Sequence, residues 1–276
     1  MTRFERGRLV AVLLLLLLTH GVESFTRPAA ATRATITMMA GESKYLSSNK
    51  PVFVAGGSRG LGLEVIKQLV SRGNLVHALV RRQESVDMLR RMSPLVTPTL
   101  GDAMDEAAVQ GCMQGCIAAV TTLGGKPDIE GAARVDYVGN SNVVEQAGIL
   151  GCERIVLVTS LGCGKTRGAI SDQVYAVLKD ALIAKDKAER DLRTYTNLDW
   201  TIIRPGGLKS DPATGSAILT DDIMAAGVVN RADVATMVIK CLGSEGKSTR
   251  RELTCIDPTQ NNDYATIGAM YVPFTV

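Results

Sequence analysis

The chain has 276 residues, 46% hydrophobic and 21% charged, which excludes a disordered polymer. The net charge of +3 sits in residues 1–50, where seven Lys/Arg stand against three Asp/Glu; the rest holds 24 against 25, so nothing points to a nucleic-acid partner. Six scattered cysteines without a Cys-x-x-Cys pair exclude a disulfide framework and read as buried thiols of a reducing compartment. The histidines are His20 and His77, too few for a histidine metal site or a Ser-His-Asp triad, so no metal is expected.

Arg3, Arg6 and Arg8 precede an apolar run from Leu9 to Leu18, too short to span a bilayer. Val22 and Ser24 suit signal-peptidase cleavage before Phe25, so residues 1–24 read as a signal peptide. Residues 25–50, rich in Ala, Thr and Arg at their start, read as a transit peptide or linker. The two together resemble the bipartite plastid presequences of algae with secondary plastids. That implies a plastid stromal protein, with secretion as the alternative. Residues 51–276 are then one domain, with no membrane-spanning segment.

Pro51 to Glu64 organises that domain. Val52 to Ala55 reads as a buried strand, Gly56 to Gly62 as a glycine turn, and Leu61, Val65 and Leu69 as one stripe of a helix. Strand, glycine turn and helix form the context of a dinucleotide fingerprint, in which the backbone approaches a pyrophosphate and the helix N-terminus faces it. Gly56, Gly57, Ser58, Arg59, Gly60, Leu61 and Gly62 are its candidate residues. A glycine-rich turn without a ligand is the alternative.

Leu75 to Val80 reads as strand two, ending at Arg81-Arg82. An acid there would bind the ribose of NAD; a base suits the 2′-phosphate of NADP(H), which Arg59 can also reach. These arginines can equally be solvated charges. Val96 to Leu100 is strand three. The Asp102 after it is placed for an adenine amino group or for capping a helix near Asp105. Ile117 to Thr122 is strand four, and Gly124 after it leaves room for a ribose. Val135 to Leu150 reads as a helix with Val135, Val138, Val143 and Ala147 inward. Arg154 to Thr159 is strand five, ending at Ser160.

Residues 174–195 are helical by period, and Trp200 to Ile203 is strand six, stopped by Arg204-Pro205-Gly206. Lys209 to Ala226 reads as a loop and a substrate lid. Arg231 to Leu242 is a helix and Glu252 to Ile256 a last strand. Alternating strands and helices at this spacing predict a Rossmann-type, doubly wound parallel α/β sheet. With Val174 set at zero and about 100° per residue, Lys185 falls near 20°, inside the apolar stripe of its helix, and Lys179 near 140°. A lysine on that stripe needs a partner, because burying an unpaired ammonium is costly. A ribose hydroxyl, Glu189 one turn on, or escape to solvent would each serve.

Val54-Ala-Gly-Gly-Ser-Arg-Gly-Leu-Gly62, Ala78-Leu-Val-Arg81, Gly101-Asp102, Asp136-Tyr-Val-Gly-Asn140, Val156-Leu-Val-Thr-Ser160, Lys185-Asp-Lys-Ala-Glu189, Thr201-Ile-Ile-Arg-Pro-Gly206 and Arg231-Ala-Asp-Val-Ala235 together carry a family likeness. They resemble the short-chain dehydrogenase/reductase superfamily, in its atypical NmrA-like NAD(P)-binding group. The glycine spacing Gly56-x-x-x-Gly60-x-Gly62 is that of the main reductase branch. The resemblance implies NADP(H) held by the glycine turn, Arg81, Arg82, Asp102, Gly124, Lys185, Pro205 and Gly206. It also implies Ser–Tyr–Lys chemistry, in which a serine positions a carbonyl and a cation makes a phenol acidic. Ser160, Tyr175 and Lys185 are the catalytic candidates, with Lys179 competing through Tyr175-x-x-x-Lys179. The expected activity is reduction of a small carbonyl or enone. The alternatives are a non-catalytic NADP(H) sensor or assembly factor for plastid membrane complexes, and an isomerase or epimerase.

Overall fold

The computed structural model describes residues 44–125, 134–195, 197–244, 246–260 and 273–276. The expected signal peptide and the transit segment up to residue 43 lie outside the described residues. Within residues 44–50, part of the segment read as transit peptide or linker, Tyr45 and Leu46 pack on the fold: Tyr45 is 2% exposed and its hydroxyl donates to Asp199 (3.1 Å).

Strand β1 (Val52–Ala55) leads into α1 (Gly60–Ser71) and β2 (Val76–Val80). Helix α2 (Gln83–Met92), an element absent from the sequence reading, follows, with Val86 and Leu89 inward. Then come β3 (Val96–Leu100), α3 (Glu106–Met113) and β4 (Ala118–Thr121). A π-helical turn, Val135–Gly139, runs into α4 (Asn140–Ile149), and β5 (Arg154–Val158) follows. Helix α5 (Asp172–Thr194) is continuous over 23 residues, with Ser171 capping it by accepting from the Val174 N–H. The rest is β6 (Asp199–Pro205), β7 (Gly207–Lys209), β8 (Ile218–Thr220), β9 (Val228–Asn230), α6 (Arg231–Gly243) and β10 (Arg251–Ile256).

Among the described residues eight strands form one sheet in the order β3-β2-β1-β4-β5-β6-β10-β8. All neighbours are parallel except β8, which runs antiparallel to β10 with Cys255 opposite Leu219. The stretch read as a lid loop thus supplies an edge strand. Three residues among Asp, Gly, Thr and Ser carry no period of their own, and pairing to β10 makes the strand. β7 and β9 pair separately, outside the main sheet.

In β1, Val52 and Val54 face one core with α1, α2 and α6, while Phe53 and Ala55 face a second with α3, α4 and α5. Both faces are covered, which is why the strand is apolar throughout. The chain leaves β1 for β2 on one side and returns to β4 on the other. That reversal opens a crevice at the carboxyl ends of β1 and β4, where such sheets bind ligands.

Two inward assignments change. In the segment opened by the π turn, Val143 and Ala147 are buried as expected, but Asp136, Gly139 and Asn140 are buried in place of Val135 and Val138. The wider turn inserts a residue and shifts the helical face. In α5 the stripe is buried only in its second half, at Leu182, Ala184, Ala188, Glu189 and Leu192, while Val174 is 46% exposed. The first turns run past the edge of the core.

Candidate functional site

The crevice at the β1–β4 switch has a volume of about 560 Å³. The glycine turn forms its floor. Gly56 and Gly60 have φ of +83° and +55°, a region that favours glycine. A Cβ on Gly62 would run into the Gly56 carbonyl oxygen, and one on Gly57 into Ile66. No side chain caps α1, whose N-cap is Arg59 in an extended conformation, and its first turn holds no acid. The helix therefore offers its N-terminal N–H groups and positive end to an anion, beside a backbone that no β-carbon obstructs. This cradle fits a dinucleotide diphosphate.

Of the expected cofactor residues, Gly56, Ser58, Arg59, Gly60, Leu61, Arg81, Asp102, Gly124 and Lys185 line the crevice, as does Ser160. Gly57 and Gly62 lie behind the turn, where they permit its close packing. Arg82 is exposed, precedes α2 and is not among the lining residues. Pro205 and Gly206 also stand outside the lining. They belong to the sheet frame: the Pro205 carbonyl accepts from the Leu161 N–H (2.8 Å), and the Gly206 N–H donates to the Cys255 carbonyl (3.0 Å). Asp102 caps no helix. Its carboxylate accepts from the Met104 N–H (3.0 Å), and Asp105 caps α3 by accepting from the Ala107 N–H (3.0 Å).

Lys185 reaches the crevice from the buried half of α5. Its Nζ lies 2.7 Å from Asp136 Oδ1 and donates to the Leu123 carbonyl (2.9 Å). Asp136 Oδ2 accepts from the Gly125 N–H (3.1 Å), and the Asp136 side chain is buried. A Cβ on Gly124 would stand 3.5 Å from both Asp136 Oδ1 and Lys185 Nζ, so the missing side chain leaves the pair open to the crevice. Asn140 braces the same turn: its amide donates to the Asp136 carbonyl (2.9 Å), and Thr121 Oγ1 donates to its Oδ1 (2.6 Å).

Glu189 does not pair with Lys185. It is buried and accepts from Arg204 Nε (3.0 Å), Arg204 Nη2 (2.6 Å), Arg193 Nη2 (2.9 Å) and Thr159 Oγ1 (2.7 Å). Arg204 also bonds Glu252 (2.8 Å). Burial works against the Arg204 charge, but Glu189 and Glu252 outweigh it and raise its pKa. The network holds Thr159, next to Ser160, at the end of β5.

The structure does not bring Tyr175 into the crevice. Its ring lies under the Arg167 guanidinium, 3.8 Å from the ring centroid, on the exposed first half of α5. Ten residues separate it from Lys185, about 15 Å along the helix. Lys179 is exposed on the same outer half. Thr122, Thr159, Leu208, Ser210 and Arg231 also line the crevice and Asp136 lies behind it, none of them a candidate from the sequence. Asp136 and Arg231 stood in the motifs that carried the family likeness, which was the signal available for them.

The family model described as NAD(P)H-binding matches residues 56–245. A chloroplastic protein of Arabidopsis thaliana, At2g34460, is 31% identical over 223 residues, covering 78% of this chain and 79% of that one. Protein TIC 62, chloroplastic, of Oryza sativa subsp. japonica is 26% identical over 255 residues; the match covers 84% of this chain and half of TIC 62. Among solved structures, ChuY, an anaerobillin reductase of Escherichia coli O157:H7, superposes with a TM-score of 0.69 at 28% identity, covering 76% of this chain and 98% of ChuY. A match over most of the folded region, around a crevice built for a dinucleotide, makes the chain a member of the NAD(P)H-binding, NmrA-like family of atypical short-chain dehydrogenases/reductases.

Proposed function

We propose that the protein binds NADP(H) in preference to NAD(H) and reduces a small carbonyl or enone in a plastid. One observation carries the reading. A single crevice has Arg59 and Arg81 among its lining residues, the glycine turn on its floor, and Ser160 with Lys185 beyond β4 and β5.

The bound nicotinamide would supply a hydride. The chain's residues do the rest. The glycine turn and the α1 N-terminus take the diphosphate. Arg59 and Arg81 take the 2′-phosphate by charge-assisted hydrogen bonds. Lys185 donates to a ribose hydroxyl, and Asp136, 2.7 Å from its Nζ, holds the ammonium in place. The Ser160 hydroxyl, now turned to the Leu161 carbonyl at 3.0 Å, turns to donate to the substrate oxygen. Lys185 Nζ holds the proton that the reduced oxygen needs. Tyr175 has no part in this mechanism.

The second reading, a non-catalytic NADP(H) sensor associated with plastid membrane complexes, is favoured by one feature: no tyrosine stands among the described residues lining the crevice. The likeness to TIC 62 supports a plastid setting. Among the described residues no helix is long and apolar enough to cross a membrane.

Calorimetry with NADPH and NADH, followed by NADPH oxidation across a carbonyl and quinone panel, tests both readings. Turnover with any member supports the reductase; tight binding without turnover across the panel favours the sensor. The two-part leader and the chloroplastic relatives support plastid import. The buried Tyr45 supports processing upstream of Lys44, which N-terminal sequencing of native protein would read directly.

A further inference from the structure

Arg231 opens α6 across from the glycine turn. It lines the crevice, with Nε and Cδ 3.5 and 3.6 Å from where Gly60 would carry a Cβ. Its Nη1 donates to the Leu208 carbonyl (3.3 Å) and to Ser210 Oγ (2.8 Å). Both belong to the strap that follows β6, of which Leu208 sits in β7, and both also line the crevice. A guanidinium has five N–H donors. Two are spent on the strap, and Nε and Nη2 have no bond among the described residues. Arg231 makes no ion pair among the described residues, although Glu64 and Asp211 border the neighbouring hollow of about 410 Å³ that it shares.

We propose that Arg231 is a cofactor-binding cation that grips the diphosphate of NADP(H) opposite the glycine turn, and that it thereby fastens the strap at Leu208 and Ser210 over the bound dinucleotide. The proposal rests on the NADP(H) reading and adds a residue and a closure to it. Backbone N–H groups and a helix end supply only partial charge to a diphosphate. A guanidinium supplies a full charge and two parallel donors. Its position beside Gly60 separates it from Arg81, which stands at the end of β2 where the 2′-phosphate would lie. An arginine divided between strap and anion makes strap order depend on the anion.

The test compares the unmodified protein with Arg231→Ala, Arg231→Lys and Ser210→Ala. The probes are NADPH, NADH and adenosine 2′-monophosphate, which lacks the diphosphate. Arg231→Ala is expected to weaken NADPH and NADH alike, roughly ten- to a hundredfold, and to leave adenosine 2′-monophosphate unchanged. Hydrogen exchange of residues 207–210 slows on adding NADPH to the unmodified protein and does not slow in Arg231→Ala. Arg231→Lys keeps the charge without the fork, so it retains part of the affinity and loses the strap protection. Ser210→Ala leaves Arg231 in place and reduces the protection with less effect on affinity. Unchanged NADPH affinity in Arg231→Ala overturns this proposal and leaves the NADP(H) reading standing. Loss for NADPH alone reassigns Arg231 to the 2′-phosphate and also overturns it. If the unmodified protein binds neither dinucleotide, both fall.

Discussion

Lys185 Nζ lies 2.7 Å from Asp136 Oδ1, joining α5 to the π turn before α4 across the side of the crevice. The pair is largely buried, and truncating one member leaves the other without its counter-charge. Lys185→Ala should therefore lower stability by about 3–5 kcal/mol and abolish measurable NADPH binding. Asp136→Asn with Lys185→Met should recover most of the stability without the binding. Lys179→Ala, on the exposed half of the helix, should stay within about 0.5 kcal/mol of the unmodified protein. Urea titration with calorimetry reads both quantities. Normal cofactor binding by a folded Lys185→Ala protein would remove Lys185 from the site.

Arg59 and Arg81 line the crevice and Arg82 does not. Replacing either lining arginine with alanine should weaken NADPH roughly ten- to a hundredfold, since a hydrogen bond to a charged group contributes about 1.5–3 kcal/mol. NADH affinity should barely move, and Arg82→Ala should change neither. Equal affinity of the unmodified protein for the two nucleotides would refute the preference.

Two glycine substitutions should have opposite signs. Gly62→Ala drives a methyl into the Gly56 carbonyl and should cost about 1–3 kcal/mol, together with cofactor affinity. Gly111→Ala, within α3 with nothing within 4 Å of its added methyl, should stabilise by about 0.5–1 kcal/mol. Thermal unfolding of both variants, with and without NADPH, makes the comparison. A stable, cofactor-binding Gly62→Ala would show that the turn relaxes.

All six cysteines are buried, and burial pushes their thiols up: Cys112, Cys152 and Cys241 to about 11, Cys163 to about 12, and Cys116 and Cys255 further. The folded state thus holds protons that the unfolded chain releases near pH 8.5. Their contribution is complete below about pH 8.5 and is lost as pH rises from there through the folded values. The urea midpoint should fall steadily between about pH 8.5 and 11. An aromatic disulfide reagent at pH 8 should find no thiol in the native protein and six in denaturant. Rapid native labelling would show that a cysteine is open to solvent.

How much of this was legible in the sequence depends on the range of the interactions involved. The β1–turn–α1 unit was, because apolar run, glycines and helical stripe all act within fourteen residues, Pro51 to Glu64. The place of Lys185 on the buried face of α5 was, because a regular helix carries its phase unbroken along the chain. Asp136 was not, because the π turn shifts the helical face and turns a carboxylate inward where a regular period points valines. The exclusion of Tyr175 was not, because its sequence spacing to Lys179 is correct and only the edge of the core decides which turns of the helix are covered. β8 exists through its pairing to β10, and Arg231 meets Gly60 only when the N-terminal ends of α6 and α1 come together over the sheet. Short-range patterns wrote the elements and the cofactor turn into the sequence. The acidic partner of the lysine, the basic residue opposite the turn and the strap bonded to it are contacts across the fold, and packing decided them.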